Sequence, residues 1–364
     1  MYTDNSRRRF LRDASSAALT LAAASTLRPH LAWSQTPARI RVGQIGTAHA
    51  HASGKMETLR KFSDTYEVVG VVEPDPKRKE SAMKQKAYAG VRWISEAELL
   101  NSEGLQCVVV ETGISELVPA AQRCVDAGMH VHLDKPAGQS LTAFQELHAA
   151  ATRSDRCIQL GYMFRYNPAF ALAARAAHDG WLGTVFEASG VMSKKIGQAA
   201  REELKKYPGG TMFELGCHLI DALVWMLGPP EKTVPYVRHT LSDGLADNML
   251  ATFEYPKATA TIRTSVNEPF GFRRRQFTLV GTEGVADIHP LEPPIIDLAL
   301  EKPHGEFKSG VQTPQLTRSG GRYDGDFIDL AMVIRGEKQL AWDAKHDLAV
   351  HEAILRASDM PLDA

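Results

Sequence analysis

The spacing of apolar residues divides the chain into two regions of different architecture. Up to about residue 150, short and almost uninterrupted apolar runs alternate with stretches of helical periodicity. Such runs are typical of strands covered on both faces, and their alternation with helices predicts βαβ units and a doubly wound parallel sheet. The predicted strands are residues 39–46, 67–73, 107–111 and 129–133, and the predicted helices include 54–63 and 116–127.

Beyond residue 150 the order changes, because helical patterns come first and strand patterns follow. Alternating polarity and turn residues predict hairpins there, hence an α+β domain with a large, mostly antiparallel open sheet. The fold class is α/β, with a Rossmann-type domain over 35–156 and a substrate-binding and oligomerisation domain over 157–364. The predicted elements are helices 167–178 and 211–227, strands 248–255, 259–266, 276–280 and 295–300, and closing helices 324–335 and 345–357.

The first 34 residues have the pattern of a leader peptide. A twin arginine at Arg7-Arg8 precedes an apolar stretch, 17–27, that is too short to span a bilayer. Small residues follow at Ala32 and Ser34, where a signal peptidase reads the chain. This order predicts a twin-arginine signal cleaved after Ser34 and a periplasmic protein exported in the folded state. The alternative is a basic amphipathic helix on the mature surface.

Composition narrows the function classes. The 364 residues are 44% apolar and 23% charged, with a formal net charge of −1, values of an ordinary globular protein. We therefore expect no nucleic-acid partner and, after signal cleavage, no membrane partner. The four cysteines are scattered without a C-x-x-C pair, which predicts buried thiols instead of a zinc site or disulfides.

The turn after the first strand is a candidate dinucleotide site. Gly46 can supply the tight turn, Ala48 stands where a second glycine is expected, and His51 stands where a third small residue would sit. Glu73 ends the second strand, where a carboxylate can accept both ribose hydroxyls and repel a 2′-phosphate. NAD is therefore favoured. A strand–turn–helix that binds no nucleotide is the alternative reading.

NADP stays possible, because Lys77 and Arg78 follow closely after Glu73 and offer positive charge to a 2′-phosphate.

A second motif ends the strand at 129–133. Lys135 follows Asp134 and precedes Pro136, which stops the strand. Ligands of such sheets bind beyond the carboxyl ends of the strands, so Lys135 should point into the crevice. Partial burial is expected to lower its pKa and to allow proton exchange. The alternative is a surface lysine at a strand end.

A third motif begins with two glycines, of which Gly210 would let the backbone approach a ligand closely. On a helix Glu214, His218 and Asp221 share one face, and a carboxylate beside His218 would raise its basicity for use as a general base. Two alternatives remain. Thr211 and Glu214 fit a capping box, and His218 could be a packed core histidine.

Two H-x-H pairs, His49/His51 and His130/His132, suggest a metal site. Zinc sites draw their further ligands from thiolates, imidazoles or carboxylates. We find no acidic or thiolate partner that completes either set, so we expect no metal.

Together the motifs resemble the Gfo/Idh/MocA family of oxidoreductases over nearly all of residues 39–357. The family's E-K-P motif corresponds to Asp134-Lys135-Pro136, its G-G-x-x-x-D-x-x-x-H motif to residues 209–218, and the stretch after its fifth Rossmann strand to residues 161–168. The resemblance implies a catalytic pair, Lys135 and His218, with Glu214 and Asp221 in support. The residues assigned to the cofactor are Gly46, Thr47, Ala48, His49, Glu73, Thr112, Asp134 and Lys135, and those assigned to substrate are Arg165, Tyr166 and Gly210.

The chain departs from this family at three places. Ala48 replaces a glycine of the fingerprint, which loosens or shifts the expected pyrophosphate contact. Asp134 and Glu214 change the reach of a carboxylate by one methylene. The family's T-P-x-x-x-H loop begins here as Thr112-Gly113-Ile114, without its proline and histidine, which puts the nicotinamide side of the cofactor site in doubt.

Three functions stay open. The first is hydride transfer between a sugar, polyol or related hydroxyl compound and a nicotinamide, with His218 taking the proton and Lys135 polarising the oxygen. Export would require a tightly held cofactor that is regenerated in place. The second is redox-neutral glycoside cleavage through transient oxidation and elimination, and the third is a non-catalytic carbohydrate- or nucleotide-binding protein.

The substrate itself is not readable from the sequence. The lysines at 194, 195 and 205 either contact an acidic sugar or form a solvated face. By analogy with such second domains, an exposed sheet suggests a homodimer or homotetramer.

Overall fold

The computed structural model describes residues 37–317 and 320–363. The predicted signal peptide, 1–34, lies outside these residues. Within the described ranges, no helix is both long enough and apolar enough to cross a membrane.

The N-terminal sheet is parallel, as predicted. Its five described strands are arranged in the order β2-β1-β3-β4-β5, so the chain reverses its direction of winding beside β1. The carboxyl ends of β1 and β3 are therefore neighbours, which is where ligands bind in such sheets. The strands are β1 (Ile40–Ile45), β2 (Tyr66–Val72), β3 (Leu105–Val110), β4 (His130–Leu133) and β5 (Ile158–Leu160).

Helices cover both faces of this sheet, which explains why its strands are apolar throughout. The predicted helices at 54–63 and 116–127 are confirmed with small shifts of their ends. Leu117, Cys124 and Phe144 pack on one face, and Leu59 packs on the other. The helices are α1 (Ala52–Lys61), α2 (Pro76–Met83), α3 (Glu96–Leu100), α4 (Leu117–Asp126) and α5 (Leu141–Arg153).

The C-terminal sheet is large and mostly antiparallel, as predicted. Its eight described strands run in the order β13-β12-β11-β10-β6-β9-β8-β7, and only the β6–β9 pair among them is parallel. The strands are β6 (Val185–Ser193), β7 (Lys232–Arg238), β8 (Asn248–Glu254), β9 (Thr259–Ser265), β10 (Gln276–Gly281), β11 (Gly284–Ile288), β12 (Ile296–Leu300) and β13 (Gly310–Gln312).

One face of this sheet carries helices. Gly190 in β6 permits close packing, because a Cβ there would lie 2.9 Å from Leu219 Cδ1. The helix that carries His218 is thereby fixed on the sheet. The remaining helices are α6 (Pro168–His178), α7 (Gln198–Leu204), α8 (Cys217–Leu227), α9 (Asp324–Ile334) and α10 (Ala344–Ala357).

The two regions interleave more than the predicted boundary at residue 156 implies. β5 completes the parallel sheet, so that sheet extends past the boundary. α9 also packs on the parallel sheet, where Phe327 lies in one apolar cluster with Ile40 and Tyr66. The Tyr66 hydroxyl donates to the carbonyl oxygen of Phe327 at 2.6 Å. The chain therefore returns to its first domain near its C-terminus.

Candidate active site

A groove runs along the carboxyl ends of β1, β2 and β3. Gly46 has a φ of +88°, and Gly46, Ala48, Glu73 and Thr112 line a cavity of about 360 Å³. A Cβ on Gly46 would lie 2.7 Å from the backbone of Thr112, so glycine is required for the turn to approach β3. The groove thus joins three segments that lie far apart in the sequence.

Replacing Gly46 with alanine tests this requirement. The matched control is Gly128→Ala, since Gly128 has a similar φ of +81° but open space around it. The control should lose about 1–2 kcal/mol of unfolding free energy through backbone strain alone. Gly46→Ala should lose a further ~1–3 kcal/mol through overpacking. Urea unfolding measures both, and equal losses would show that contact with Thr112 does not matter.

Glu73 bonds the turn that follows β1. Its Oε2 accepts hydrogen bonds from the amide (2.8 Å) and the hydroxyl (2.7 Å) of Thr47. Its Oε1 accepts from Arg78 Nε at 3.2 Å, and Arg78 is half-exposed at the rim. Both carboxylate oxygens of Glu73 thus have partners, one in the turn after β1 and one at the rim of the groove.

Beneath the groove lies an ionic cluster that sequence reasoning missed. Lys55 is fully buried, with its Nζ 2.8 Å from Glu111 Oε1 and 3.0 Å from Asp134 Oδ2. Burial opposes its charge, but Asp134 and then Glu111 outweigh that penalty and raise the pKa of Lys55. Burial and the charge of Asp134 raise the pKa of Glu111 well above its usual value. Gly161 makes room, because a Cβ there would lie 2.7 Å from Lys55 Nζ.

One sequence signal could have revealed this cluster. Glu111 directly follows the apolar run of β3, at the edge of the sheet where functional side chains gather. Lys55 lies one helical turn after His51, so both point the same way.

The two histidines of the turn bind Asp134. His49 Nδ1 lies 2.8 Å and His51 Nδ1 3.2 Å from Asp134 Oδ2, and His49 Nε2 lies 3.1 Å from the carbonyl oxygen of Lys135. The turn is thereby anchored to the end of β4. The His49 ring, assigned to the cofactor from the resemblance, is buried in this anchor.

The expectation that no acidic group joins the His49/His51 pair was wrong, because Asp134 lies within reach of both rings. However, the ammonium of Lys55 already supplies positive charge 3.0 Å from the same carboxylate oxygen. A metal ion there would be repelled by this lysine.

Lys135 reaches from β4 towards the second domain. Its side chain is buried, and its Nζ donates a hydrogen bond to the carbonyl oxygen of Glu214 at 2.8 Å. Burial disfavours the charge, yet Cys217, Glu214 and Asp134 together raise the pKa of Lys135. The expected lowering of its pKa was therefore wrong, since negative neighbours outweigh desolvation. Lys135 is an ammonium donor at neutral pH.

His218 lies at the start of α8 and is buried between aromatic rings. Tyr162 and Phe164 present their edges to it, and the centroid of the His51 ring is 6.3 Å away. Its Nδ1 is buried and has no hydrogen-bond partner among the described residues. Burial first, and then the charge of Lys135, lower the pKa of His218 well below its usual value. The expectation that a carboxylate raises its basicity was wrong.

The backbone before α8 differs from the predicted continuous helix. Met212–Gly216 forms a π turn, in which hydrogen bonds skip one residue further than in an α-helix. Thr211 bonds the hydroxyl of Thr264 at 2.9 Å, so its pairing with Glu214 in a capping box is not observed within the described chain. The Glu214 side chain instead lies 3.7 Å from Lys194 Nζ.

The space beside Gly210 is filled by the protein itself. Its φ is +56°, and a Cβ there would lie 2.4 Å from the carbonyl oxygen of Ala246. Packing of the chain is thus sufficient to require glycine at this position, and the approach of a substrate to its backbone stays a prediction.

Asp221 and Arg165 bind each other below the crevice. The Arg165 guanidinium donates to Asp221 Oδ1 at 2.7 Å and to Asp347 Oδ1 at 2.6 Å, and all three side chains are buried. Asp221 therefore holds α8 to the rest of the fold and does not orient His218. Tyr166 donates to Asp329 Oδ2 at 2.9 Å and borders a second cavity, of about 300 Å³.

Comparison with known proteins agrees with this arrangement. Residues 40–162 match the oxidoreductase family with an NAD-binding Rossmann fold, and residues 170–287 match the Gfo/Idh/MocA C-terminal domain. The chain is 26% identical over 251 residues to inositol 2-dehydrogenase 4 of Saccharopolyspora erythraea, covering 65% of this chain and 70% of that protein.

Solved structures share the fold. GenD2 from gentamicin A biosynthesis, in complex with NAD, gives a TM-score of 0.73 at 22% identity and covers 89% of this chain and 94% of its own. The aldose-aldose oxidoreductase of Caulobacter crescentus, complexed with glycerol, gives a TM-score of 0.73 at 18% identity. The match covers 88% of this chain and 98% of that protein's chain. Since the two family matches span more than half of the chain, this protein belongs to the Gfo/Idh/MocA family of oxidoreductases and carries an NAD-binding Rossmann domain.

Proposed function

We propose that the protein is a dehydrogenase that moves hydride between a carbinol of a sugar or polyol and NAD. The observation that carries the proposal is the pairing of a neutral imidazole, His218, with an ammonium, Lys135, whose charge helps to lower the pKa of His218. Lys135 Nζ reaches the carbonyl oxygen of Glu214, in the π turn that leads into α8 and His218. A substrate hydroxyl is the group that fits, because it can donate to His218 and accept from Lys135.

The groove suits a dinucleotide. Gly46 brings the first turn against β3, and the carboxylate of Glu73 stands at the end of β2 where a ribose is read. A dinucleotide held in this groove would supply the acceptor for the hydride of the substrate carbon. The same carboxylate disfavours a 2′-phosphate, and we propose NAD as the cofactor, with Arg78 as the residue through which NADP would bind.

The roles of the pair follow from their charges. Neutral His218 accepts the hydroxyl proton on its imidazole ring as the carbon gives up its hydride. Lys135 donates a hydrogen bond to the same oxygen, in place of its present bond to the Glu214 carbonyl. The substrate leaves as a carbonyl compound, and the reverse reaction returns the proton from His218.

The pH dependence of kcat/KM tests this assignment. The pKa of His218 is lowered by burial, Lys135, His51 and Arg322, and only Asp134 opposes them. A lowered pKa keeps the base neutral, so activity should be level through pH 6.5 and fall only well below it. The raised pKa of Lys135 keeps its ammonium charged to above pH 10.5. An acid limb centred near pH 6.5 would contradict the assignment.

The function itself is tested on the small molecules released when the purified protein is denatured. Export under the predicted signal requires a tightly held dinucleotide, so absorbance and mass spectrometry should detect NAD in nearly stoichiometric amount. Turnover of sugars and polyols should then reduce it. Absence of a dinucleotide, together with no NAD-dependent oxidation of any sugar or polyol, would contradict the proposal.

A further inference from the structure

Three cationic side chains of the second domain, Lys194, Arg275 and Arg322, lie near enough for their charges to act on one another. Lys194 follows β6, Arg275 precedes β10 and Arg322 precedes α9, so they come from three separate segments. Arg275 Nε donates to the carbonyl oxygen of Ser193, the neighbour of Lys194, at 3.0 Å. Lys194 lies 3.7 Å from the carboxylate of Glu214, whose carbonyl binds Lys135. The cations are therefore continuous with the proposed catalytic pair.

Positive charge exceeds negative charge in this region. Arg322 pairs with Glu292 at 2.7 Å, and one carboxylate, that of Glu214, faces Lys194. In the described part of the chain, no carboxylate lies within 4.0 Å of the Arg275 guanidinium. The guanidinium instead lies 3.9 Å from the centre of the Phe272 ring. With Lys135 and its neighbour Asp134 included, four described cations stand against three carboxylates, those of Glu214, Glu292 and Asp134.

Burial of this excess positive charge carries a free-energy penalty. Arg275 is 7% exposed, and burial together with Arg322 lowers its pKa. Burial, Lys135 and Arg275 likewise lower the pKa of Lys194, against the opposing charge of Glu214. The charged forms of Lys194 and Arg275 are thus less stable than in water, and an anion bound between these two side chains would remove part of that penalty.

We propose that the substrate is a negatively charged sugar, whose anionic group binds between Lys194 and Arg275 while a carbinol meets Lys135 and His218. The guanidinium and ammonium offer charge-assisted hydrogen bonds to a carboxylate or phosphate. The inference rests on the proposed dehydrogenase function and adds to it the class of substrate.

The test compares binding of D-glucuronate, D-glucose 6-phosphate and neutral D-glucose to the dinucleotide-loaded protein by calorimetry. We expect at least one anionic sugar to bind about 10–100-fold more tightly than glucose, the equivalent of one charged hydrogen bond. The preference should shrink as salt is added. Which anion binds better distinguishes a carboxylate from a phosphate.

Variants locate the contact. Lys194→Met and Arg275→Met should each remove most of the preference for the anionic sugar, measured as the ratio of its affinity to that of glucose in the same variant. The matched control is Lys195→Met, because Lys195 is adjacent and exposed and should behave as wild type. Thermal unfolding checks that each variant is folded. The salt dependence of the anion preference, measured on the wild-type protein, tests the inference without any variant.

Tighter or equal binding of glucose, or no binding of any of the three sugars, overturns the inference. Loss of preference in Lys195→Met but not in Lys194→Met also overturns it. Failure of the dehydrogenase proposal would give a different result from failure of this inference. In that case the purified protein would hold no dinucleotide and would not oxidise sugars.

Discussion

Lys135→Met is expected to lower kcat by about 10²–10⁴-fold, the range in which a positioned proton donor or acceptor contributes. Methionine preserves the apolar stem of this buried side chain but removes the ammonium that would polarise the substrate oxygen. The carbonyl of Glu214 keeps a second partner, the thiol of Cys217 at 3.3 Å, so the π turn should persist. Steady-state kinetics on the dinucleotide-loaded variant measures the loss.

Dinucleotide affinity is the control for this variant. The groove at Gly46 and Glu73 is built from other strands, so bound dinucleotide should be retained while turnover is lost. Unchanged kcat would remove Lys135 from the reaction. Loss of the dinucleotide together with turnover would instead give Lys135 the cofactor-binding role that the family resemblance implies.

Lys55→Met is expected to lower the free energy of unfolding by about 3–5 kcal/mol, the usual cost of removing one partner from a buried ion pair. Lys55 is fully buried, and its loss leaves Glu111 and Asp134 facing each other without a cation. Urea unfolding measures the effect. The matched control is Lys84→Met, because Lys84 is 71% exposed in a surface pair and should change stability by less than about 1 kcal/mol.

A second substitution separates charge from packing. In Lys55→Met with Glu111→Gln, one of the two opposed carboxylates is neutral, so part of the lost stability should return. If the double variant is as unstable as the sum of the single ones, the cluster does not act through charge. A loss below about 1 kcal/mol in Lys55→Met would contradict the buried ion pair itself.

Much of the fold could be predicted from the sequence, because the pattern of apolar residues in each strand reflects which of its faces are buried. Strands β1 to β4 are apolar throughout since helices cover both faces, and the antiparallel strands alternate since one face is less covered. β6 was missed, although it is central to the second sheet. Its residues mix glycine, serine and glutamate, and Gly190 is there for contact with α8, which no local pattern reveals.

The site was readable only in part, for the same physical reason. Motifs marked Lys135 and His218, because each stands at a recognisable end of an element. The ion-pair partners of the site residues could not be predicted, because they are set by tertiary contacts. Lys55 meets Glu111 across 56 residues, and Arg165 meets Asp347 across 182. The direction of the pKa shift at Lys135 depends on such partners, so the sequence-based expectation had the wrong sign.

Transfer of deuterium is the most direct test of the central claim, that Lys135 and His218 act on one carbinol beside the nicotinamide. The dinucleotide-loaded protein is mixed with D-glucuronate, D-glucose or myo-inositol, each deuterated at its carbinol carbons, and the released dinucleotide is weighed by mass spectrometry. We expect deuterium in the nicotinamide of the wild-type protein with at least one of these compounds, and none in Lys135→Met with equal dinucleotide bound. Unlabelled dinucleotide with all three compounds, or undiminished label in the variant, would contradict the claim.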